Sequence, residues 1–340
     1  MSSVTSDRRN KERKYIQMKT RKILAIIIAA LMMLPLLASC GEPADDGKYV
    51  IGICQLTEHP SLDAATQGFM DAVKEALGEE NVTFDFQSAQ GDSNTCSTIC
   101  NQFVSDNVDL ILANATPALQ AAAAATNEVP ILGTSVTEYG VALEIDDFNG
   151  TVGGNISGTS DLAPLDQQAD MLVEWFPEAK NVGLLYCSAE ANSKYQVDEV
   201  QKYLEAKGIT VKQYSFADSN DLQSVCQLAA DESDVIYVPT DNAVADNTGI
   251  VDNICRPAGV PVIAGEEGIC GGCGVATLSI SYYDLGKTTG EMAVKILKDE
   301  ADVSEMKIEY TTVTKKYNAD ICKALGIEPL EGYAAIVVEE

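Results

Sequence analysis

Short hydrophobic runs alternate along the chain with longer stretches whose apolar positions recur every three or four residues. The short runs end in polar turns, as buried β-strands do, and the longer stretches have the period of amphipathic helices. This alternation predicts parallel sheets covered by helices. The predicted strands span 49–54, 82–87, 108–113, 129–134, 181–187, 209–215, 234–238 and 260–264. The predicted helices span 62–78, 93–105, 117–126, 193–207, 220–231 and 243–257.

The second half of this pattern repeats the first. The strand, turn and helix of 108-VDLILANATPALQ-120 correspond to 234-DVIYVPTDNAVAD-246, and 129-VPILGTSV-136 corresponds to 260-VPVIAGEE-267. A duplicated α/β unit predicts two similar Rossmann-like lobes, with the Gly-rich and Asn-rich segment 146–161 as the first crossover between them. Neither a G-x-G-x-x-G nor a Walker sequence follows a strand, so no nucleotide and no other cofactor is predicted.

The N-terminal segment has the features of an export signal. Residues 1–22 are rich in Lys and Arg, and 23-ILAIIIAALMMLPLLAS-39 is almost wholly apolar. The end of this run, 37-LASC-40, resembles the bacterial lipobox, which predicts cleavage before Cys40 and a lipid anchor on its sulfur. A transmembrane anchor is the alternative, but the apolar run is slightly short for a span. Translation could also start at Met18.

The balance of charge limits the partners. The full chain has a formal charge of −28, and without residues 1–39 it keeps 15 basic and 49 acidic groups, a charge of −34. Such a field repels nucleic acid and anionic lipid surfaces, so nucleic acid is not predicted as a partner. The remaining part of about 300 residues is long enough for two lobes with separate cores.

Nine cysteines follow Cys40. Most occupy apolar helix positions or strand ends, as Cys96 and Cys100 do, which predicts small core residues. The motif 270-CGGC-273 differs and is predicted in a loop, where a local disulfide or two free thiols would fit; free thiols are favoured. A zinc ribbon requires a second such pair or histidines, and none stands out, so no metal site is predicted.

The loops after the predicted strands hold the candidate chemistry, because ligands of open parallel sheets bind beyond the carboxyl ends of the strands. These loops contain no Lys or Arg. A phosphate or dicarboxylate would require a cation, so the predicted ligand is neutral, zwitterionic or cationic. Catalysis is not predicted, because His59 is the single histidine, G-x-S-x-G is absent from the sequence, and acid pairs such as Glu266 and Glu267 are sequence neighbours.

Three segments carry a family resemblance: 113-ANATPALQAA-122, 234-DVIYVPTDNAV-244 and 281-SYYDLGKTTGEMAVKILK-298. With the lipobox and the duplicated lobe, they resemble the tryptophan/tyrosine-type substrate-binding lipoproteins of ABC transporters over residues 48–330. The resemblance implies the type I periplasmic binding protein fold, in which two α/β lobes with parallel central sheets are joined by a three-segment hinge. It also implies an aromatic amino acid in the cleft and a membrane permease as partner. The CGGC cysteines depart from the family pattern.

The same resemblance implies a monomer held by the lipid anchor at Cys40 on the extracytoplasmic face of the bacterial cell membrane. The predicted parts are a signal peptide, a lipidated linker, a first lobe and a second lobe. Their respective boundaries are 1–39, 40–47, 48–158 with 281–305, and 159–280 with 306–340.

The predicted ligand-binding residues lie in or beside the strand-end loops. The first-lobe wall comprises Gln55, Thr57, His59, Thr116, Ser135 and Thr137. The second-lobe wall comprises Ser160, Asp161, Asn192, Thr240, Asp241, Asn242 and Glu266, and Tyr282 lies near the hinge.

Each end of an amino acid has a predicted partner. The carboxylate is expected at hydroxyls and helix-start N–H groups near Thr116, a predicted N-cap, and Ser135. The ammonium is expected at Asp241, with Glu266 as a second candidate. Tyr282 either stacks on an aromatic ligand or is a core residue at a helix start. A sugar or nucleoside receptor of the same fold, or a ligand sensor, are the alternatives. Sugar sites often stack their ligand on aromatic rings, whereas the single Trp175 is expected in the core or on the surface.

Overall fold

The fold comes from a computed structural model, which describes residues 47–336; the predicted signal peptide and Cys40 lie outside them. Lys48–Glu340 form one compact unit. The strands of the described residues are β1 Tyr49–Gln55, β2 Val82–Ser88, β3 Leu110–Asn114, β4 Ile131–Val136, β5 Ile156–Ser160, β6 Asn181–Cys187, β7 Thr210–Phe216, β8 Val235–Val238, β9 Val262–Ala264, β10 Ala276–Ile280, β11 Glu309–Tyr310, β12 Val313–Tyr317 and β13 Ala334–Ala335.

Helices connect most of these strands, and two short 3-10 helices, Glu79–Asn81 and Val303–Glu305, accompany them. The α-helices within the described range are α1 Pro60–Leu77, α2 Ser93–Ser105, α3 Thr116–Ala125, α4 Tyr139–Ala142, α5 Leu165–Trp175, α6 Ala191–Ala206, α7 Ser219–Glu232, α8 Asn242–Ala245, α9 Thr248–Ala258, α10 Glu267–Cys273, α11 Tyr282–Leu297 and α12 Ala319–Leu325.

The strands form two sheets. The first has the order β11-β5-β4-β3-β1-β2 and is parallel throughout. The second has the order β13-β12-β10-β9-β8-β6-β7, in which only the β10–β12 pairing is antiparallel. The chain passes between the sheets after β5, after β10 and after β11. These sheets and their covering helices, here called the first and second lobes, confirm the predicted two-lobed α/β architecture.

The pairing of the strands puts some residues in a different sheet from the one that the predicted lobe boundaries imply. Residues 159–160 complete β5, and Glu309–Tyr310 pair with Thr159 and Ser160 in the first sheet. The predicted boundaries place both stretches in the second lobe. Which residues move together as a rigid body about the hinge remains a prediction.

Each sheet is buried between two layers of helices. Apolar side chains of α1 and α11 cover one face of the first sheet, and those of α2 and α3 cover the other. In the second sheet, α5, α6 and α12 cover one face, and α7, α9 and α10 cover the other. With both faces covered, the central strands are buried at nearly every position, so their hydrophobic runs are continuous.

Glycines allow α1 and α11 to touch through their backbones. A Cβ on Gly286 would lie 1.8 Å from the Ala65 carbonyl oxygen, and one on Gly68 would lie 2.1 Å from the Tyr283 carbonyl oxygen. Both distances are far below van der Waals contact, so only glycine permits this approach. The contact holds α11, which follows the second sheet along the chain, against the first lobe, as the family resemblance implies.

Three local predictions are wrong. The helix predicted over 243–257 is broken into α8 and α9, because Asp246 and Asn247 lie between them outside helical structure. The CGGC motif lies in α10 and not in a loop, since the Glu266 side chain caps the helix start. Thr116 is the first residue of α3 and not its N-cap; that position belongs to Ala115, whose φ of 91° is unusual for a residue with a side chain.

The cysteines between Cys54 and Cys322 are all buried and carry free thiols. Cys270 and Cys273 lie in the second-lobe core with the other apolar side chains of α10. They therefore pack as small core residues, which is how the sequence pattern was interpreted for most of the other cysteines.

Candidate functional site

Ten of the fourteen predicted site residues surround one cavity between the lobes. These residues lie at or just beyond the carboxyl ends of β1, β4, β5, β6, β8, β9 and β10, in loops and at the starts of the following helices, where the topology of parallel sheets places ligands. The ten are His59, Ser135, Thr137, Asp161, Asn192, Thr240, Asp241, Asn242, Glu266 and Tyr282.

Two lining residues were not predicted. Leu62 of α1 and Ala245 of α8 add apolar surface to the cavity. Both occupy positions that the sequence pattern cannot distinguish from core positions of their helices. The cavity lining contains no Lys or Arg, in keeping with the composition of the strand-end loops.

Four predicted residues lie away from this cavity. Gln55 is buried in the first lobe, where its amide accepts a hydrogen bond from Thr66 and donates to Asp63. Thr57 lines a second, outer cavity of the cleft. Thr116 is buried at the start of α3, and the Ser160 hydroxyl donates to the Thr137 carbonyl oxygen at 2.8 Å. None of these four lines the first cavity, which is called the inner cavity below.

Four buried polar atoms on the cavity wall have no hydrogen-bond partner among the protein's own described groups: Ser135 Oγ, Asp161 Oδ1, His59 Nδ1 and Asn192 Oδ1. Buried polar atoms are nearly always hydrogen-bonded, because leaving one unpaired costs about 1–3 kcal/mol. Such a concentration of unpaired atoms in one cavity indicates a site built to bind a polar ligand.

Asp161 is the carboxylate with a free oxygen. Its Oδ2 accepts a hydrogen bond from the Tyr282 hydroxyl at 2.9 Å, and its Oδ1 accepts none. Burial raises the pKa of Asp161 to about 6, interactions with the Tyr282 and Thr137 hydroxyls oppose the rise, and the nearby Glu266 charge adds to it. The ionised form therefore lacks a positive partner, which a ligand ammonium would supply.

Asp241 has both oxygens engaged. Its Oδ1 accepts from the Val244 backbone N–H at 2.9 Å, which caps α8, and its Oδ2 accepts from the Cys187 N–H at 2.7 Å. Burial and the nearby Glu190 charge raise the pKa of Asp241. Asp241 lies on the cavity wall with both carboxylate oxygens bound to backbone N–H groups, whereas one oxygen of Asp161 has no partner in the protein.

Glu266 is likewise occupied. It caps α10 through the backbone N–H groups of Gly268 and Ile269, and its Oε2 also accepts from the Ser61 hydroxyl at 2.6 Å. Ser61 belongs to α1 of the first lobe, so this hydrogen bond crosses the cleft. His59 and Asn242 form a second contact across it, with Nε2 and Oδ1 3.4 Å apart. The two lobes are therefore closed on each other.

Glu190 is a buried residue that the sequence analysis passed over. Its carboxylate accepts hydrogen bonds from the Asn242 side chain at 2.6 Å and from the Ala243 backbone N–H at 3.0 Å. It also accepts from the Asn192 amide at 3.2 Å. Its position in the loop after β6 is the feature of the sequence that could have identified it as a site residue. Glu190 fixes the orientation of two cavity amides.

Ser135 has a left-handed backbone, with φ at 53°, where β4 and β5 lose their regular register. Residues with side chains adopt this region at a cost, and such residues concentrate at functional sites. The irregularity comes at the end of β4, and the hydroxyl of Ser135 is one of the unpaired cavity atoms.

The outer cavity lies beside the inner one and shares Asn242 with it. Both lobes line it, and Glu190, Asp218 and Asp246 make it acidic. Trp175 lies elsewhere, packed against Tyr333 in the second-lobe core, as expected for a residue outside the cleft.

Residues 47–336, which the structure describes, include no helix with the length and hydrophobicity needed to cross a membrane. They also include no cluster of three or more His, Cys, Asp or Glu side chains placed to hold a metal ion.

Comparison with known proteins gives consistent results. The family model for "ABC transporter substrate binding protein" matches residues 50–332. The "Tyrosine-binding protein" of Clostridioides difficile (strain R20291) is 34% identical over 333 residues, covering 92% of this chain and 94% of that relative.

Two solved structures bear on the state of the lobes. The ABC domain from Streptococcus pneumonia in complex with L-Trp is 31% identical, has a TM-score of 0.80, and aligns with 85% of this chain and all of that domain. The ligand-free, open structure of a substrate-binding protein with adhesive properties from Clostridium difficile is 39% identical, with a TM-score of 0.65 over 86% of this chain and all of that one. The present structure is thus closer to the ligand-bound domain, although its sequence is closer to the open one, which agrees with the contacts across its cleft. Fold, closed cleft and sequence similarity lead to one conclusion: the chain belongs to the ABC transporter substrate-binding proteins.

Proposed function

We propose that this protein is the receptor of an ABC importer and that it captures an aromatic amino acid, Tyr, Trp or Phe, in the inner cavity. The four unpaired polar atoms of the cavity carry this proposal, because a small zwitterion would supply their missing partners. A relative named for tyrosine binding and a structural neighbour in complex with L-Trp support the aromatic side chain.

In this proposal Asp161 Oδ1 binds the ligand ammonium, and the Ser135 hydroxyl donates to the ligand carboxylate. The free Asp161 oxygen replaces Asp241, which the sequence favoured for the ammonium but whose oxygens bind backbone N–H groups. Leu62 and Ala245 offer apolar surface to the ligand side chain, and the Tyr282 ring lies in the same wall.

Lobe closure completes the site. The lining residues are buried when the lobes are closed, so a ligand enters an open form and is then enclosed. Ligand contacts from both sides favour the closed form, which a permease would recognise. Nothing in this cycle requires covalent chemistry, so we propose a binding protein and not an enzyme.

The N-terminal sequence suggests where the receptor is located in the cell. We propose export by the signal peptide, lipidation at Cys40, and a monomeric receptor tethered to the outer face of the bacterial cell membrane beside its permease. Globomycin, which blocks lipoprotein signal cleavage, should leave the uncleaved precursor if the lipobox is used, and a Cys40→Ser variant should not incorporate labelled palmitate.

Calorimetry of the protein, stripped of ligand by unfolding and refolding, tests the ligand class. The titrants are the common amino acids, a panel of sugars and a panel of nucleosides. Heat with Tyr, Trp or Phe supports the proposal. Binding of a sugar or nucleoside alone would overturn it, and chemical conversion of the ligand, seen by mass spectrometry, would contradict a role limited to binding.

A further inference from the structure

We propose that Glu190 is a positioning residue for lobe closure. It orients the Asn242 amide so that the amide oxygen meets His59 of the opposite lobe, and this contact favours the closed form. Glu190 lines the outer cavity and not the inner one. The inference rests on the proposed function and identifies a residue that controls ligand affinity from outside the ligand cavity.

The three residues form a row that runs from one cavity to the other. Glu190 lines the outer cavity, His59 lines the inner cavity, and Asn242 lines both. Glu190 and Asn242 belong to the second lobe, and His59 belongs to the first. The contact between His59 and Asn242 therefore joins the lobes at the boundary between the two cavities. The row is called the Glu190–Asn242–His59 relay below.

Glu190 determines which end of the Asn242 amide faces the first lobe. The Asn242 Nδ2 donates to Glu190 Oε2 at 2.6 Å, and an ionised carboxylate only accepts. The amide oxygen of Asn242 is thus left for His59, whose Nε2 lies 3.4 Å away. An amide oxygen also only accepts, so His59 Nε2 is the donor in this contact. A hydrogen bond of this length is weak, and it depends on the orientation of the amide.

The Glu190 carboxylate is itself fixed within the second lobe. Its Oε1 accepts from the Ala243 backbone N–H at 3.0 Å, and its Oε2 also accepts from the Asn192 amide at 3.2 Å. Only 6% of Glu190 is exposed. Because these partners all belong to the second lobe, the Asn242 amide is oriented before His59 approaches. A preorganised group loses less conformational freedom when the contact forms, which favours closure.

Without the Glu190 carboxylate, the Asn242 amide can rotate and turn its NH₂ group toward His59 Nε2. The contact across the cleft is then weakened, and the open form gains population. Only the closed form contacts the ligand from both lobes, so ligand affinity falls with the population of that form. We expect the loss of this one contact to weaken tyrosine binding roughly 3- to 10-fold.

The first experiment compares Glu190→Ala with the wild type by calorimetry with tyrosine and by small-angle X-ray scattering without ligand. Affinity should fall by the amount given above, and the unliganded variant should have the larger radius of gyration. Glu190→Gln lacks the charge but keeps an acceptor oxygen for Asn242, so it should retain most of the wild-type affinity. Asp246→Ala removes an exposed carboxylate from the same outer cavity and should change affinity less than about twofold.

These variants separate orientation from charge. If Glu190→Gln or Asp246→Ala weakens binding as much as Glu190→Ala does, the charge of the outer cavity is responsible and the inference is wrong. Asn242→Asp keeps the size of the side chain but cannot donate to Glu190 when ionised. It should enlarge the unliganded protein in the same way, and it replaces Glu190→Ala as the test if that variant does not fold.

The second experiment is a double-mutant cycle between Glu190→Ala and His59→Phe, which keeps an aromatic ring but has no Nε2–H. The two residues belong to different lobes and are connected through Asn242, so independent effects on affinity would multiply. We expect the double variant to bind tyrosine only slightly more weakly than His59→Phe alone. A purely local role of Glu190 in its own loop would give multiplied effects and would contradict the relay.

The scattering measurement requires no ligand, so it tests the relay separately from the identity of the ligand. Equal radii of gyration for the unliganded wild type and Glu190→Ala, with equal affinity for tyrosine, would overturn the inference and leave the proposed function intact. Failure of the wild type to bind any aromatic amino acid would instead refute the proposed function.

Discussion

Two buried aspartates on the same cavity wall differ in what their oxygens bind. Asp161 keeps one oxygen without a partner, whereas Asp241 uses both to bind backbone N–H groups. A carboxylate satisfied by the backbone stabilises its own loop, and a carboxylate with a free oxygen can bind a ligand. The chemistry of the residue is the same; its neighbours determine its role.

Substituting Asp161 and Asp241 in turn tests which of the two carboxylates binds the ligand ammonium. Asp161→Asn removes the charge that faces the ligand and should weaken amino-acid binding by about 2–4 kcal/mol, roughly 30- to 1,000-fold. Asp241→Asn places an NH₂ group against backbone N–H donors, so it should lower the free energy of unfolding by about 1–2 kcal/mol and change affinity less than tenfold. Calorimetry and urea unfolding measure the two quantities. The reverse ranking of affinities would favour Asp241.

The pH dependence of ligand binding is expected to follow the ionisation of Asp161. The raised pKa of Asp161, about 6 in the closed site without ligand, should fall when an ammonium pairs with the carboxylate. Binding therefore releases a proton below pH 6, and affinity should be constant above that pH and fall up to tenfold per unit below it. His59, Asp241, Glu266 and Tyr282 also line the cavity, and the pKa of Asp241 is raised as well, so Asp161→Asn, which keeps all four, is the control. If ligand affinity still falls below pH 6 in this variant, a group other than Asp161 causes the pH dependence.

The sequence predicts which loops meet at the site but not which oxygen is free. Parallel strands with helices between them bring their carboxyl ends together, so ten of the predicted residues line one cavity. Whether Asp161 or Asp241 faces a ligand depends on backbone N–H directions around α8, which no residue pattern specifies. Glu190 escaped notice for the same reason, because its importance lies in the amides it orients.

The helices α1 and α11 make up the joint between the first lobe and the chain returning from the second. Gly286 and Gly68 bring their backbones together more closely than any side chain allows. Adding one methyl group there has to separate the helices or displace a carbonyl group. The joint therefore depends on two residues that contribute no side chain.

Gly286→Ala should lower the free energy of unfolding by about 1–3 kcal/mol or more, because the new methyl group meets the Ala65 carbonyl oxygen. Gly271→Ala is the matched control, since a Cβ there meets no atom within 4 Å and lies in α10. Alanine favours helix over glycine, so this change should be neutral or stabilise by up to about 1 kcal/mol. Thermal and urea unfolding compare the two. Equal effects would mean that α11 does not pack as described.

Strands were predictable where their side chains are apolar. The eight predicted strands all exist, with ends shifted by at most two residues. The strand β5 was missed because its sequence, ISGTS, is mostly small and hydroxylated, yet all five residues are buried. Its threonine is satisfied by neighbours from other elements, with the Thr159 and Thr289 hydroxyls 2.8 Å apart. A strand buried through hydroxyl pairs has no hydrophobic signature.

At the scale of the whole molecule, the closed cleft is held by a small number of polar contacts. The hydrogen bond from Ser61 to Glu266 and the approach of His59 to Asn242 both join opposite lobes. Contacts of this kind are weak enough for ligand binding to decide the balance between open and closed forms.

Ser61→Ala removes one such contact while Glu266 keeps its two backbone donors. The closed form should lose about 1 kcal/mol, so ligand affinity should fall several-fold and the unliganded protein should be more open. Small-angle X-ray scattering with and without tyrosine measures the change: the radius of gyration should decrease on binding in both proteins, from a larger starting value in the variant. An unchanged starting value and affinity would show that this hydrogen bond does not influence closure.

The hydrogen bond between Tyr282 and Asp161 joins the first and second crossings between the lobes, since Asp161 directly follows β5 and Tyr282 begins α11 just after β10. A ligand held by Asp161 is thus held at the pivot itself. A pivot moves least as the cleft widens, so this contact would be among the last to break, and competing ligands should differ chiefly in residence time and little in association rate. For a receptor that must wait for a free permease, the dissociation rate would determine which amino acid is delivered.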